Sequence, residues 1–106
     1  MKEQLIKLAK EKGFVSITGL RNTEIIVRNE MFYCLWMCEL QKWLRINHKV
    51  HLRIDVSIID NWYFDLFNLN DKRNCEFPEY YNPDDYKTYE LVLEAGLLEA
   101  LKLIEV

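Results

Sequence analysis

The stretch from Gln41 to Asp60, QKWLRINHKVHLRIDVSIID, decides the fold. Leu40, Trp43 and Leu44 recur at helical spacing, with Gln41, Lys42 and Arg45 between them as the solvated side. From Lys49 the period switches to two. Val50, Leu52, Ile54, Val56 and Ile58 then point one way, and Lys49, His51, Arg53, Asp55 and Ser57 the other. An amphipathic helix therefore ends in a basic turn and leads at once into a half-buried strand. A strand with one apolar face favours an antiparallel sheet laid on a core.

Downstream, Asp60-Asn61 suits a tight turn, because both residues tolerate positive φ. A second strand over Trp62–Leu69 is apolar on both sides: Trp62, Phe64 and Leu66 on one, Tyr63, Phe67 and Leu69 on the other, with Asp65 interrupting. A two-residue turn puts Tyr63, Phe67 and Leu69 on the core side. A three-residue turn puts Phe64 and Leu66 there instead. Cys75–Phe77 reads as a short edge strand ended by Pro78, and Glu79–Asp85 as a loop with its turn at Asn82-Pro83-Asp84. The last helix runs from Thr88, its cap, to about Ile104, with Glu90 in the first turn. Its stripe is Leu91, Ala95, Leu98 and Leu101, widened by Leu97 and Ile104. Gly96 in mid-helix costs about 1 kcal/mol against alanine, which marks a close approach to a strand or another helix.

Upstream, Asn29 caps a helix that runs to about Asn47. Tyr33, Trp36, Leu40, Trp43, Leu44 and Asn47 form its stripe, with Phe32, Leu35 and Met37 largely outside it. Its first half, MFYCLWMC, has no polar face, which predicts a central helix or one lying in a subunit interface. Lys2–Lys12 reads as a short helix with Leu5, Leu8 and Ala9 on one side and Ile6 beside them. Gly13 is its left-handed stop, and Phe14 folds back on it. Between Phe14 and Arg28, Val15 and Ile17, then Ile25 and Val27, alternate as in a hairpin or an irregular extended segment, with a turn at 19–22.

The expected fold class is α+β in a single domain, residues 1–106. An antiparallel sheet of two to four strands packs against two longer helices, with a short N-terminal helix beside them. Its order is α–(β–β)–α–β–β–α. Half of the residues are hydrophobic and 29% are charged, a globular balance. No apolar run approaches the ~20 residues of a membrane helix. The charged start MKEQLIKLAKEK is unlike a secretory peptide. Three cysteines, Cys34, Cys38 and Cys75, without paired-knuckle spacing, suggest free thiols in a reducing cytoplasm. Net charge is −3, but residues 1–53 hold ten Lys/Arg against five Asp/Glu, and residues 54–106 four against twelve. The halves either neutralise each other or present a basic face.

Two patterns carry a resemblance. The first is Leu40, Gln41, Lys42, Trp43, Leu44, Arg45, His48, Val50, His51 and Leu52. The second is Thr88, Tyr89, Glu90, Leu93, Glu94, Gly96, Leu97, Glu99, Ala100, Leu101, Lys102, Leu103 and Ile104. Together they resemble a group of small uncharacterised proteins encoded by phages and prophages of Bacteroides-type bacteria. They cover about a third of the chain directly. The chain departs at Leu91, where the group often has glutamate, so Thr88 lacks a capping-box partner. The resemblance implies a context, that of a phage- or prophage-derived accessory protein in a bacterial host. It implies no activity.

Three classes of function compete. For an enzyme, His48, His51, Cys34, Cys38, Tyr63, Asp65, Asp84 and Asp85 are the reactive side chains, but no nucleophile, phosphate or metal motif orders them. Cys34 and Cys38 read as small buried hydrophobes, with no catalytic, metal or cofactor site expected. For nucleic acid, Lys42, Arg45, His48, Lys49, His51 and Arg53 form a basic cluster near stacking aromatics. For protein interaction, Phe32 and Leu35 on the helix and Trp62, Phe64 and Leu66 on the strand form excess apolar surface. This third reading, a non-catalytic module, is favoured. Its partner is a host or phage protein or a second copy in a homodimer. The alternative cover for the strand's far side is the chain's own residues 1–28.

Overall fold

A computed structural model describes residues 2–17, 19, 21–56, 62–69, 82–86 and 88–104. It is α+β. Helices α1 (Lys2–Glu11), α2 (Thr23–Arg28) and α3 (Glu30–Asn47) precede strands β1 (Val50–Val56), β2 (Trp62–Asn68) and β3 (Asn82–Tyr86), and helix α4 (Tyr89–Lys102) follows. The strands form an antiparallel sheet in the order β1-β2-β3.

Local chemistry sets the helix ends. Gly13, at φ 97°, ends α1: its N–H donates to the Lys10 carbonyl and that of Phe14 to Ala9. Both bonds belong to a left-handed glycine stop. Phe14 is buried and meets Trp36 and Trp43 edge-on, at centroid distances of 5.6 and 5.4 Å. Asn29 caps α3 by accepting from the Phe32 N–H at 3.1 Å, and Thr88 caps α4 by accepting from that of Leu91 at 3.2 Å. The Lys12 ammonium donates to the Ile104 carbonyl and so ties the end of α1 to the end of α4.

The register pairs Leu52 with Leu66, Ile54 with Phe64 and Val56 with Trp62. An odd number of residues separates Val56 from Trp62, so Phe64 and Leu66 join the core, the outcome expected of a three-residue turn. The Asp60-Asn61 turn itself lies outside the described residues, as do Ile58 and Cys75–Phe77. Along β1 the helix-facing side is buried at Val50 and Leu52, half-buried at Ile54 and exposed at Val56. The edge of β1 is covered where the Gln41 amide donates to the Leu52 carbonyl at 2.9 Å, one way of blunting an unpaired strand.

The central element is α4, which contacts α1, α3 and all three strands. Val92, Leu93, Gly96, Leu97, Leu98, Ala100 and Leu101 are all buried. Gly96 lies against the sheet. A β-carbon built there would stand 2.6 Å from Leu52 Cδ1 and 3.2 Å from Phe64 Cγ. The close approach expected from the sequence is thus made to β1 and β2.

Several expectations are corrected. Residues 23–28 form a helix rather than a strand. The Asn22 side chain accepts from the Ile25 N–H, and Ile26 is buried where α2 meets α1 and α3. The described residues therefore form four helices, not three. Asn82–Tyr86, read as a loop, pairs with β2 as an edge strand, a position that tolerates Pro83. The MFYCLWMC segment is buried on one side only. Tyr33, Trp36 and Met37 are inside, whereas Met31 and Leu35 are 68% and 53% exposed. Met37 therefore belongs to the core stripe, and Asn47 is exposed. Leu91, placed in the stripe of α4, is 50% exposed.

Two substitutions test this packing by urea unfolding. Leu101→Ala should cost about 2–5 kcal/mol as a large-to-small change at a fully buried site. Gly96→Val should lose about 1–3 kcal/mol by overpacking against Leu52 and Phe64, despite leaving the helix backbone intact.

Candidate functional site

The ends of α1, α3 and α4 meet around a cleft of about 620 Å³, lined by Lys2, Glu30, Met31, Tyr33, Cys34, Thr88, Glu90, Leu91 and Glu94. The caps at Asn29 and Thr88 fix where α3 and α4 begin, which places the first turns of both helices on the cleft. At its base, the Tyr33 hydroxyl donates to Glu94 Oε2. Glu94 is 8% exposed, a charged side chain on the otherwise apolar central helix. Burial, then the bond to Glu94, pushes the Tyr33 hydroxyl far above its ordinary range, so it stays protonated and remains a donor. At the mouth, the Lys2 ammonium pairs with Glu30 and lies 4.9 Å from the centroid of the Tyr33 ring. Burial and the nearby carboxylates of Glu90 and Glu30 push the Cys34 thiol up. Sequence reading missed this cleft. The one local signal was Glu94, a carboxylate flanked by Leu93 and Ala95.

Beside the cleft, exposed apolar residues continue along the two helices. Met31, Leu35 and Cys38 follow one another at helical spacing on α3, and Tyr89 and Leu91 stand on the first turn of α4. The Tyr89 ring meets Trp62 edge-on at 5.7 Å. Of the apolar residues put forward for an interface, Leu35 is on this surface, Trp62 is half-buried at its margin and Phe32 is half-buried. Phe64 and Leu66 are not available. They are buried in the chain's own core, because the sheet register turns them toward α4. Cys38 is exposed rather than buried, and Cys34 is half-buried.

The basic residues have different neighbours. Arg45 and Arg53 lie close enough to His51 to disfavour its protonation. Arg53 is bound to Asp65 and lies 4.9 Å from the Phe67 centroid. This pair links the basic and acidic halves of the chain. Lys42 instead lines an apolar cleft with Phe14, Ile17 and Ile46. Lys49 holds the left-handed conformation, φ 57°, that turns α3 into β1. The two imidazoles have different partners: His48 meets Trp43 at 4.6 Å, and His51 faces Phe67 at 6.2 Å. The aromatic and acidic residues on the outer face of β2, Tyr63 and Asp65, are half-buried. Asp84 and Asp85 lie on β3. Among the described residues no group of three or more His, Cys, Asp or Glu could hold a metal ion. None of the described helices is long and apolar enough to cross a membrane.

His51 Nδ1 is buried and has no hydrogen-bond partner among the described residues. Burial, then Arg45 and Arg53, lowers its pKa below the ordinary 6.5. Between the lowered value and 6.5 the unfolded chain binds more protons, so stability should rise with pH. It is fully present above 6.5 and is lost as pH falls through the folded-state value. Urea unfolding on either side of that window should show this slope in the wild type and a flatter one in His51→Gln.

Comparison of the chain with protein-family models, curated proteins and solved structures gives no match.

Proposed function

We propose that this chain is a non-catalytic protein-interaction module, an accessory protein of the phage or prophage type it resembles, acting in the cytoplasm of a bacterial host. The observation that carries the reading is the apolar surface of Met31, Leu35, Tyr89 and Leu91, each 40% exposed or more, on adjoining helix ends. Single exposed apolar residues are ordinary, but a run of them across two neighbouring elements is characteristic of a contact site. A second copy is the first partner to test, since a two-fold axis sets such a surface against itself and homodimers are the commonest closed assembly. A host or phage protein is the other partner. Oligonucleotide binding through Lys42, Arg45, His48, Lys49, His51 and Arg53 is the weaker reading, because Arg53 is already committed to Asp65.

Sedimentation across micromolar concentrations should show the wild type as a dimer and Leu35→Glu as a monomer of unchanged helicity. If the wild type is monomeric, capture of a host or phage protein by the wild type but not by Leu35→Glu carries the reading instead. A wild-type monomer that captures nothing through this surface overturns it. Salt-sensitive binding to mixed oligonucleotides, unaffected by Leu35→Glu, would favour the nucleic-acid alternative.

A further inference from the structure

We infer that the exposed seam of α3 seats a second copy of this chain, with the two α3 helices antiparallel about a two-fold axis that passes between Leu35 and Cys38. The inference rests on the interaction-module reading and gives that surface its partner.

Spacing defines the seam. Met31, Leu35, Cys38, Lys42 and Arg45 are all exposed, and they recur at intervals of four, three, four and three residues. That is the a/d rhythm of a coiled coil, which keeps one narrow stripe toward a partner helix. The other side of α3, with Tyr33, Met37, Leu40 and Leu44, is buried in the chain's own core. The helix thus has two seams, and the chain's own elements fill one of them.

The order of charges along the open seam selects the partner. Glu30 stands at its N-terminal end, with a side chain 75% exposed. Glu90, exposed on the first turn of α4, lines the same cleft as Glu30 and Cys34 and adds a second carboxylate at this end. Met31, Leu35 and Cys38 make the middle. Lys42 and Arg45 stand at the C-terminal end, and neither belongs to a salt bridge among the described residues. The seam is therefore acidic, then apolar, then basic. Reversed about a point between Leu35 and Cys38, it is complementary to itself. Glu30 comes level with position 43 of the copy, between Lys42 and Arg45. Met31 comes level with Lys42 of the copy, whose aliphatic stem covers apolar surface while its ammonium stays in water. Leu35 comes level with Cys38 of the copy. A two-fold axis makes each of these contacts twice. Arg28, which would fall level with Arg45, belongs to α2 and is paired with Glu24. Parallel helices would instead set Lys42 on Lys42 and Glu30 on Glu30, like charges that oppose association. An unrelated partner has no need of acid and base on either side of an apolar centre, whereas a second copy does.

The test is sedimentation and cross-linking of the full chain in reducing buffer. The wild type should be a dimer. Lys42→Glu/Arg45→Glu, with a seam acidic at both ends, should weaken association about ten-fold or more. Glu30→Lys/Glu90→Lys, basic at both ends, should do the same. An equimolar mixture of the two variants should dimerise again, a rescue that misfolded chains cannot give. Orientation is read with a short bismaleimide in a Cys34→Ala/Cys75→Ala background. In the antiparallel pair two Cys38 thiols are offset by only about 4.5 Å along the helices, and they should couple. In the same background, Met31→Cys/Cys38→Ala offsets the thiols by about 16 Å, and they should not. Coupling at both positions or at neither overturns the inference, as does a dimer whose affinity ignores both charge changes. If Leu35→Glu still abolishes such a dimer, the interaction-module reading stands without it. A monomeric wild type also overturns the inference; capture of a host or phage protein through Leu35 then keeps the wider reading, and no capture removes both.

Discussion

The structure depends on the close seating of one helix on one sheet. At Gly96 the backbone of α4 comes so near Leu52 and Phe64 that a side chain of any size would displace them. That approach lets a single helix touch all three strands while α1 and α3 cover its other sides. It also explains why α4 is apolar at most of its positions. A helix in a small α+β protein ordinarily has a solvated face; here the exposed part of α4 is reduced mainly to its first turn and a few positions such as Lys102.

Seating α4 at the centre places Glu94 inside the protein. The chain accommodates it with the Tyr33 hydroxyl, which burial and the carboxylate keep protonated. Three helix ends then converge around this pair. Because α3 and α4 start beside each other, their first turns leave a cleft lined by carboxylates at the level of the caps and by Met31 and Leu91 at the mouth. The exposed apolar surface continues from there. The cleft and the surface are thus two consequences of the same packing, one lined in part by carboxylates, the other apolar.

On the opposite side of the sheet, one cation of the basic segment is paired within the chain. Arg53 is held by Asp65 across the β1–β2 ladder and covers the Phe67 ring. Cross-strand pairs of opposite charge stabilise a sheet face modestly. They also leave less free charge for an anionic partner than a count of lysines and arginines implies. Burial, and then the charges of Arg45 and Arg53, favour the neutral form of His51.

The sequence by itself determined what is local. It gave away the stops and caps at Gly13, Asn29 and Thr88, because each depends on one side chain or one φ angle within a turn. It determined the strand at Val50–Val56, because alternation has a single explanation. It also marked the close approach at Gly96. Tertiary structure decided the rest. Ile25-Ile26-Val27 has the β-branched look of a strand, yet the Asn22 cap and docking on α1 and α3 make it a helix, overriding weak local preference. Asn82-Pro83-Asp84 has turn chemistry, yet β2 offers it an edge to pair with. The register at Phe64 and Leu66 rested on the parity of a connection that a two-faced apolar strand cannot encode. Likewise, MFYCLWMC carries no polar residue to say which side faces out, so the exposure of Met31 and Leu35 followed from where α4 left room. The cleft was beyond reach for a simpler reason: its residues come from positions 2, 30–34 and 88–94, and only the packing of three helices brings them together.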